Sequence, residues 1–406
     1  MNIMFLTCDG FDTPNSVNHL SMTIIEDLLK ANNNVYLVCS HKKGIYKDIP
    51  DILKEKKGFT YDIVKRKDIN KNNFVKRYLD DFLYVFKAMK YWRKKKNSID
   101  AVFLQSYPNS VYMAIALKLF LRKPVVYNLY DVFPGHAYDI GVIKSKFIYN
   151  ALRWTQKLVY KLTDYTIAAS EDMKNILIKE GVPENKIRIV YLWYDTERIK
   201  CISPSENKII KKFNLPRDKF YVQYAGALGY VLDYKMIIKV AEILKNQEDI
   251  VFLIIGDGNV KNRFLEEVKQ KNLSNVWYYP WQPLELIGDV YNACDIGFIP
   301  LKKGVIGNGV PSKASQLMAC KKVIVNSVED SVYSRMFSEN NMGISINTGD
   351  PQDIANAILY LKSHPEELKI MGENAYNYVS KYYSREVNTK KIVELFKLIE
   401  AEKNKV

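Results

Sequence analysis

The segment Gly304-Val-Ile-Gly-Asn-Gly-Val-Pro-Ser-Lys-Ala-Ser-Gln-Leu-Met-Ala-Cys-Lys-Lys-Val-Ile-Val325 carries the clearest structural pattern in this chain of 406 residues. Its order predicts a glycine-bearing loop, a helix that begins near Pro311 and Ser312, and a buried strand at 323–325. Glycines let the backbone approach a ligand closely, because no Cβ stands in the way. Ser312 is suited to cap the free amides of the helix, and Lys313 adds a positive charge where phosphate is favoured.

Two amide side chains in this segment are suited to bind hydroxyl groups. Asn308 lies in the predicted loop and Gln316 on the predicted helix. Each amide offers donors and an acceptor of the kind that sugar hydroxyls require. An ordinary crossover of loop, helix and strand would show the same pattern, so the segment alone leaves both interpretations open.

Four earlier segments repeat the same alternation of an apolar run, a turn and a helical pattern. They are residues 220–229, 251–258, 276–283 and 293–300. This alternation predicts an α/β fold with a parallel, doubly wound sheet, in which ligands bind at the carboxyl ends of the strands. Gly226, Gly256 and Gln282 stand at three of these ends, so we expect them to contact a ligand.

The length of the chain exceeds what one hydrophobic core usually supports and predicts two domains, with a link near residues 196–216. Residues 1–8 predict a first strand rather than a signal peptide, and no apolar run is long enough to span a bilayer. The five cysteines are dispersed, as is typical of a reducing cytoplasm. The four histidines form no metal-ligand pattern, so we expect neither a metal site nor a cofactor.

The positive charge of the chain is concentrated in its first half. Of the net charge of +15, residues 1–200 hold +12 (33 Lys and Arg against 21 Asp and Glu) and residues 201–406 hold +3 (27 against 24). Basic residues and aromatics alternate at helical spacing in 74–92 and 145–162. Such helices are typical of an anionic membrane interface, but a solvated helix with one face on the core fits equally well. Nucleic-acid binding is not expected, because no recognition motif accompanies the charge.

The order of these blocks resembles family 4 glycosyltransferases, which are retaining enzymes with the two-domain GT-B fold. Residues 168–190 resemble the end of that family's first domain. Residues 128–141, with an Asp-x-x-Pro pattern that begins at Asp131, resemble a branch that often transfers sugars to lipid-linked intermediates of cell-surface polysaccharides. Residues 281–313 match the same branch.

This resemblance implies two Rossmann-like domains with a donor cleft between them. Residues 1–200 would form the acceptor domain and 201–384 the nucleotide-sugar donor domain, and a helix in 385–406 would pack back on the first domain. The expected reaction moves a hexosyl or acetamidohexosyl group from a nucleotide sugar, most simply a UDP-sugar, to a saccharide acceptor. It would proceed with retention and without a metal ion.

The resemblance also assigns roles to particular residues. The expected donor-binding residues are Gly226, Gly256, Gln282, Asn308, Ser312, Lys313 and Gln316. Asp131 and His136 are the candidates for catalysis, where they would orient the sugar. The expected acceptor is a lipid-linked or soluble saccharide. The protein is therefore expected in the cytoplasm, peripheral at the inner face of the cytoplasmic membrane.

Several residues depart from the family pattern. Many members carry two glutamates where this chain has Asn308 and Gln316, and an Arg and a Lys where it has Ala227 and Leu232. Amides lack the charge-assisted hydrogen bonds of carboxylates. A specialised enzyme and a catalytically silent relative that binds or scaffolds both remain open. An epimerase would need further acid and base groups in this loop, and a phosphorylase would need a lysine in a pyridoxal-binding context.

Overall fold

The computed structural model describes residues 1–8, 10–11, 16–42, 49–67, 69, 74–107, 109–139, 141–307, 311–347 and 349–405. The chain forms two compact units. The N-terminal unit comprises Met1–Tyr191 and Glu386–Val406, and the C-terminal unit comprises Leu192–Arg385. The chain therefore changes unit at 191/192 and 385/386 rather than at the expected 200/201 and 384/385.

The N-terminal unit alternates strands and helices along its first 191 residues. In chain order these are β1 (Asn2–Leu6), α1 (Ser16–Lys30), β2 (Asn34–Lys42), α2 (Asp51–Lys54), β3 (Phe59–Arg66), α3 (Phe74–Trp92), β4 (Ala101–Gln105), α4 (Ser110–Ala116), β5 (Val125–Asn128), α5 (Gly135–Asp139), α6 (Lys146–Leu162), β6 (Tyr165–Ala168), α7 (Glu171–Lys179) and β7 (Ile187–Ile189). Within the described residues they build a parallel sheet in the order β3-β2-β1-β4-β5-β6-β7.

The C-terminal unit repeats this pattern. Its elements are α8 (Lys208–Lys212), β8 (Phe220–Ala225), α9 (Tyr234–Ile243), β9 (Ile250–Ile255), α10 (Lys261–Gln270), β10 (Val276–Tyr279), α11 (Ile287–Asn292), β11 (Ile296–Pro300), α12 (Lys313–Ala319), β12 (Val323–Ser327), α13 (Val332–Glu339), β13 (Gly343–Ile346), α14 (Pro351–Ser363) and α15 (Pro365–Tyr382). Its parallel sheet has the order β10-β9-β8-β11-β12-β13 over the described residues. The predicted pair of Rossmann-like α/β units is thereby confirmed.

Each sheet has a fully buried strand near its centre. All six residues of β9 are buried, as are all five of β4. Strands that are buried on both sides read as continuous apolar runs, which is characteristic of parallel sheets. In the N-terminal unit, Phe5 on β1 stacks on Phe103 on β4 with ring centroids 4.7 Å apart.

The last helix, α16 (Arg385–Lys403), packs on the N-terminal unit. The ring of Phe396 lies 6.5 Å from that of Phe103, and Asn388 accepts a hydrogen bond from the amide of Tyr191 at 2.9 Å. Near the end of the helix, Lys403 Nζ lies 2.7 Å from Asp100 Oδ1. None of the helices in the described ranges is both long enough and apolar enough to cross a membrane.

The segment expected to link the domains belongs instead to the C-terminal unit. Asn207 is fully buried, caps α8 and donates a hydrogen bond to the carbonyl of Asp289 at 2.8 Å. Closer to the change of unit, the amide of Tyr194 donates to the carbonyl of Tyr383 at 3.3 Å. These long-range contacts are invisible in the local sequence, which shows only weak periodicity here.

Candidate functional site

The site begins where the strand order of the C-terminal sheet reverses. The chain runs outward from β8 to β9 and β10, then returns to β11 on the other side of β8. Parallel α/β sheets bind ligands at the carboxyl ends of the two strands that flank such a point. Here those ends lead into Gly226 after β8 and into the loop of residues 301–307 after β11.

Gly226 and Gly256 form a closely packed floor at this edge. A Cβ at Gly256 would lie 1.9 Å from the carbonyl oxygen of Gly226, so no side chain fits there. The amide of Gly226 donates to the carbonyl of Ile255 at 2.9 Å, and that of Gly256 donates to the carbonyl of Tyr279 at 3.0 Å. Hydrogen bonds thus hold the two glycines, including one at 3.0 Å from the Tyr278 hydroxyl to the carbonyl of Gly256, and neither glycine adds a side chain of its own to this edge.

Lys313 lies directly against this floor. A Cβ at Gly226 would meet Lys313 Cε at 2.6 Å and Nζ at 3.1 Å. The ammonium group also lies 4.8 Å from the ring centroid of Tyr224, the penultimate residue of β8. The structure therefore brings Gly226, Gly256 and Lys313 together, and places a cation beside bare backbone, an arrangement suited to a diphosphate.

Gln316 lies on α12 three residues after Lys313, so the two side chains emerge on neighbouring positions of one helix face. Its Oε1 atom is buried and has no hydrogen-bond partner among the described residues. Burying an unpaired amide oxygen is costly, and such atoms are often satisfied by a ligand. The helix itself is anchored by Ala314, Leu317 and Met318, which are buried.

One other residue of this segment differs from expectation. Ser312 does not cap α12 through its side chain: its backbone is helical, and its carbonyl accepts a hydrogen bond from Ser315 Oγ at 2.9 Å. A residue that has already entered the helical conformation cannot turn its hydroxyl toward the following amides. Asn308 lies outside the described residues.

Gln282 follows β10, two strands away from β8. Its Oε1 accepts a hydrogen bond from Lys212 Nζ at 2.7 Å, and its Nε2 donates to the carbonyl of Pro280 at 2.8 Å. Among the described residues, the side chain of Gln282 makes these two hydrogen bonds and none to Gly226 or Gly256. A ligand that used this amide would have to replace the bond with Lys212.

Sequence reasoning missed Glu329, which follows β12. Its Oε2 accepts from the amide of Gly304 at 2.8 Å and its Oε1 accepts from the amide of Ile306 at 3.1 Å. Glu329 therefore holds the loop that leads from β11 toward α12. No sequence signal identifies it, because the bonds join residues more than twenty positions apart.

The two positions where the family carries cations are apolar and differently placed. Leu232 is completely buried and forms an isolated antiparallel bridge with Leu301, whereas Ala227 is exposed. Buried Leu232 has no polar atom to offer a phosphate. In the part of the chain that the structure describes, no three His, Cys, Asp or Glu side chains are grouped closely enough to hold a metal ion.

Asp131 and His136 follow β5 in the N-terminal unit, and His136 lies on α5. The side chain of Asp131 has exposed surface, but the protein atoms around its carboxyl group desolvate it and raise its pKa above the ordinary value, while the charge of His136 lowers that pKa. The Nδ1 atom of His136 is buried without a hydrogen-bond partner among the described residues. The two residues thus interact electrostatically, and one ring nitrogen is left for a ligand.

Comparison with known proteins identifies both units. Residues 17–198 match the family described as Glycosyltransferase Family 4, and residues 205–378 match the family described as Glycosyl transferases group 1. The probable glycosyltransferase WbjE of Pseudomonas aeruginosa is 26% identical over 294 residues, which cover 71% of this chain and 72% of that protein. The putative colanic acid biosynthesis glycosyl transferase WcaI of Escherichia coli is 24% identical over 157 residues, 38% of each chain.

Solved structures share the fold. HepE from Anabaena, solved in complex with UDP and glucose, superposes with a TM-score of 0.72 and covers 97% of this chain and 99% of its own, at 15% identity. At that identity the likeness establishes the fold alone. The predicted GT-B arrangement of two Rossmann-like domains is confirmed.

Proposed function

We propose that this chain moves a sugar from a UDP-sugar to a saccharide acceptor, because its first half matches Glycosyltransferase Family 4 and its second half matches Glycosyl transferases group 1. The observation that carries this proposal is the position of Lys313 against the bare backbone of Gly226 at the reversal point of the sheet. The bound UDP in HepE supports the choice of nucleotide.

The proposed contacts follow the edge of the C-terminal sheet. The diphosphate lies over Gly226 and Gly256 beside Lys313, with the backbone amide of Ser312 as a further donor. Gln316 takes the ribose, because its buried Oε1 has no other partner among the described residues. Gln282 lies near the base after releasing Lys212, and Asn308 bonds the sugar.

The proposed transfer delivers a hexosyl or acetamidohexosyl group with retention of configuration. Cleavage of the anomeric C–O bond places negative charge on the departing diphosphate, and a preorganised cation at Lys313 stabilises that charge. The acceptor hydroxyl attacks from the leaving-group face and gives its proton to the departing phosphate. Asp131 and His136 orient the sugar. Because Lys313 supplies positive charge at the phosphates, we propose that the reaction needs no divalent ion.

We place the acceptor in the N-terminal unit and assign it to the class of lipid-linked saccharides. The name of WcaI, which refers to the biosynthesis of a polysaccharide, supports this class. So does the charge of +12 in residues 1–200, since it attracts anionic lipids. The protein would then work as a peripheral protein at the inner face of the cytoplasmic membrane, with a soluble acceptor as the other possibility to be tested.

Calorimetric titration with UDP and with GDP tests the donor site. Lys313→Ala should weaken UDP binding by about 1–3 kcal/mol, the effect of losing a charged hydrogen bond. Lys235→Ala removes an exposed lysine from α9 and is the matched control. Equal affinity in wild type and Lys313→Ala would remove the assignment.

Slow hydrolysis of a panel of nucleotide sugars identifies the donor. The anomeric configuration of the product formed with a small acceptor shows whether configuration is retained. Activity should survive EDTA. A loss of activity that only Mn²⁺ or Mg²⁺ restores would contradict metal independence, and an inverted product would contradict retention.

A catalytically silent binding protein is the second candidate. It is favoured by the loss of both family cations, since Leu232 is buried and Ala227 carries no charge. UDP binding without turnover of any donor in the panel would support this candidate.

A further inference from the structure

The solvent-facing side of α3 is apolar where such a face is normally polar. Leu79, Leu83 and Phe86 expose 55%, 51% and 51% of their surface. Their spacing of four and three residues places them on one stripe of the helix. Tyr84, Ala88 and Trp92 are buried and already supply the inward face of the same helix. The exposed stripe is therefore not part of the hydrophobic core.

All acidic residues of α3 are turned away from this stripe. Asp80 is buried and its Oδ2 lies 2.7 Å from Arg66 Nε, while Asp81 pairs with the other end of the same guanidinium group. The exposed charged residues described in α3 and in the short helical turn Arg93–Ser98 that follows it are cationic: Lys76, Lys87, Lys90, Arg93, Lys94 and Lys96. The outer face of α3 thus combines aliphatic and aromatic side chains with positive charge alone.

The same composition continues on the neighbouring segment. Phe82 of α3 lies 4.8 Å from Tyr112 of α4, measured between ring centroids, so the two helices pack side by side. The π-helical turn Leu117–Leu121 follows α4, and its Leu119 and Phe120 are 57% and 44% exposed. The guanidinium of Arg93 lies 5.9 Å from the ring centroid of Phe120, which joins this turn to the end of α3.

We propose that this surface, termed the α3 face and formed by Leu79, Leu83, Phe86, Leu119 and Phe120 with the surrounding cations, docks on an anionic lipid bilayer. The apolar side chains enter the headgroup region, and the lysines and arginines contact lipid phosphates. The inference deepens the proposed membrane association by naming the surface that makes contact. It rests on that association but not on the donor or on turnover.

The charge and the apolar composition of the α3 face favour a bilayer over two other occupants. A second copy of the chain would bring two clusters of like charge together, which opposes association. Nucleic acid would satisfy the cations but would gain little from exposed leucines, because base stacking requires aromatic rings. An anionic bilayer can bind the cations and take up the apolar side chains at the same time.

The test is co-sedimentation of the full chain with vesicles of phosphatidylcholine, alone or mixed with phosphatidylglycerol, at low and high salt. Wild type should bind the anionic vesicles at low salt and be released at high salt. Leu83→Asp should weaken that binding about tenfold or more, because the variant loses an exposed leucine that would enter the headgroup region and adds a negative charge. Ile370→Asp is the matched control, since Ile370 on α15 is 56% exposed in the C-terminal unit.

A second pair of variants separates the position of charge from its amount. Lys90→Glu with Lys94→Glu should release the protein from anionic vesicles, whereas Lys235→Glu with Lys239→Glu on α9, which has the same change in net charge, should have little effect. UDP titration and circular dichroism of every variant show whether the donor site and the fold are intact, so failure of the donor assignment remains distinguishable.

Three results would overturn the proposal. Wild type would fail to prefer anionic vesicles, Leu83→Asp would bind as wild type does, or both charge pairs would behave alike. Light scattering adds a fourth: conversion of a dimer to a monomer by Leu83→Asp would identify the α3 face as an interface between copies of the chain.

Discussion

The two units share one topology and differ in what they present at their surfaces. Both sheets run outward through three strands and return on the other side of the first, in matching order. In the C-terminal unit, the edge beyond β8 is bare backbone at Gly226 and Gly256 with Lys313 beside it. In the N-terminal unit, α3 exposes leucines, a phenylalanine and cations.

This difference separates two kinds of recognition that one topology can support. A compact anion requires close approach to the backbone and a fixed charge, which is the role proposed for Gly226, Gly256 and Lys313. A broad, fluid surface requires area and diffuse charge, which is the role proposed for the α3 face. We expect a single substitution at Gly226, Gly256 or Lys313 to have a large, local effect on binding. Substitutions on the α3 face should each have a graded effect.

The largest effect is expected at the glycine floor. Gly256→Ala places a Cβ 1.9 Å from the carbonyl oxygen of Gly226, so the backbone must move. We expect a loss of at least about 3 kcal/mol in the free energy of unfolding, together with loss of UDP binding. Gly229→Ala is the control, because a Cβ there meets no described atom within 4 Å. Similar urea unfolding curves for the two variants would show that the floor tolerates side chains.

Asp131 tests whether the N-terminal unit takes part in the reaction. Its raised pKa keeps the carboxyl group protonated to higher pH than an ordinary aspartic acid. If the carboxylate orients the sugar, kcat/KM should rise as pH increases through that pKa. Asp131→Asn should lower kcat/KM about tenfold to hundredfold and abolish this rise.

Stability distinguishes this role from a structural one. A raised pKa in the folded protein contributes stability only at low pH, and that contribution is lost as pH rises through the folded pKa. Asp131→Asn should therefore not lower the melting temperature at neutral pH. Asp139→Asn on α5 is the control. A pH profile unchanged by Asp131→Asn would remove Asp131 from the site.

A moderate effect is expected at Glu329, which holds the loop after β11. Glu329→Gln replaces one acceptor by an amide donor that faces another donor, so one of the two hydrogen bonds to Gly304 and Ile306 is lost. Hydrogen exchange at these amides should accelerate, and the donor KM should rise about fivefold to tenfold. Asp330→Asn is the control, since Asp330 is paired with Arg335 at the surface. Unchanged exchange in Glu329→Gln would show that the loop is held otherwise.

The smallest effect is expected where α16 returns to the N-terminal unit. Burial raises the pKa of Asp100, but hydrogen bonds from Lys403 and the amide of Asn2 outweigh it and hold the pKa below its ordinary value. This interaction stabilises the fold above the unfolded pKa and is lost as pH falls through the folded pKa. Because Lys403 is half exposed, Lys403→Met should cost only about 0.5 kcal/mol at neutral pH.

Thermal unfolding across a pH series checks this prediction. The difference between wild type and Lys403→Met should shrink toward zero in acid. Lys405→Met, two residues further along, is the control. A difference that grows in acid would reverse the assigned sign.

The sequence patterns predicted no strand at β3 or at β13. Strand β3 lies within the basic stretch of the chain and shows no regular apolar alternation, because Phe59 and Val64 are buried and the four residues between them are partly or fully exposed. Strand β13 is a short edge strand with partly exposed residues, so its apolar signal is weak. The link expected near residues 196–216 lies inside the C-terminal unit, where Asn207 is held by a contact with Asp289 about eighty positions away along the chain.

The sequence by itself determined the α/β class, the candidate loop with its glycines and Lys313, and the excess of positive charge in the first half. These are properties of local order and composition, and periodicity records them directly. Only the tertiary structure decided that Gly226, Gly256 and Lys313 meet, that Glu329 holds the loop, and that Asp80 and Asp81 turn inward from α3. Those outcomes depend on which strands become neighbours and which helix face meets the core. Both are set by packing between residues distant in sequence.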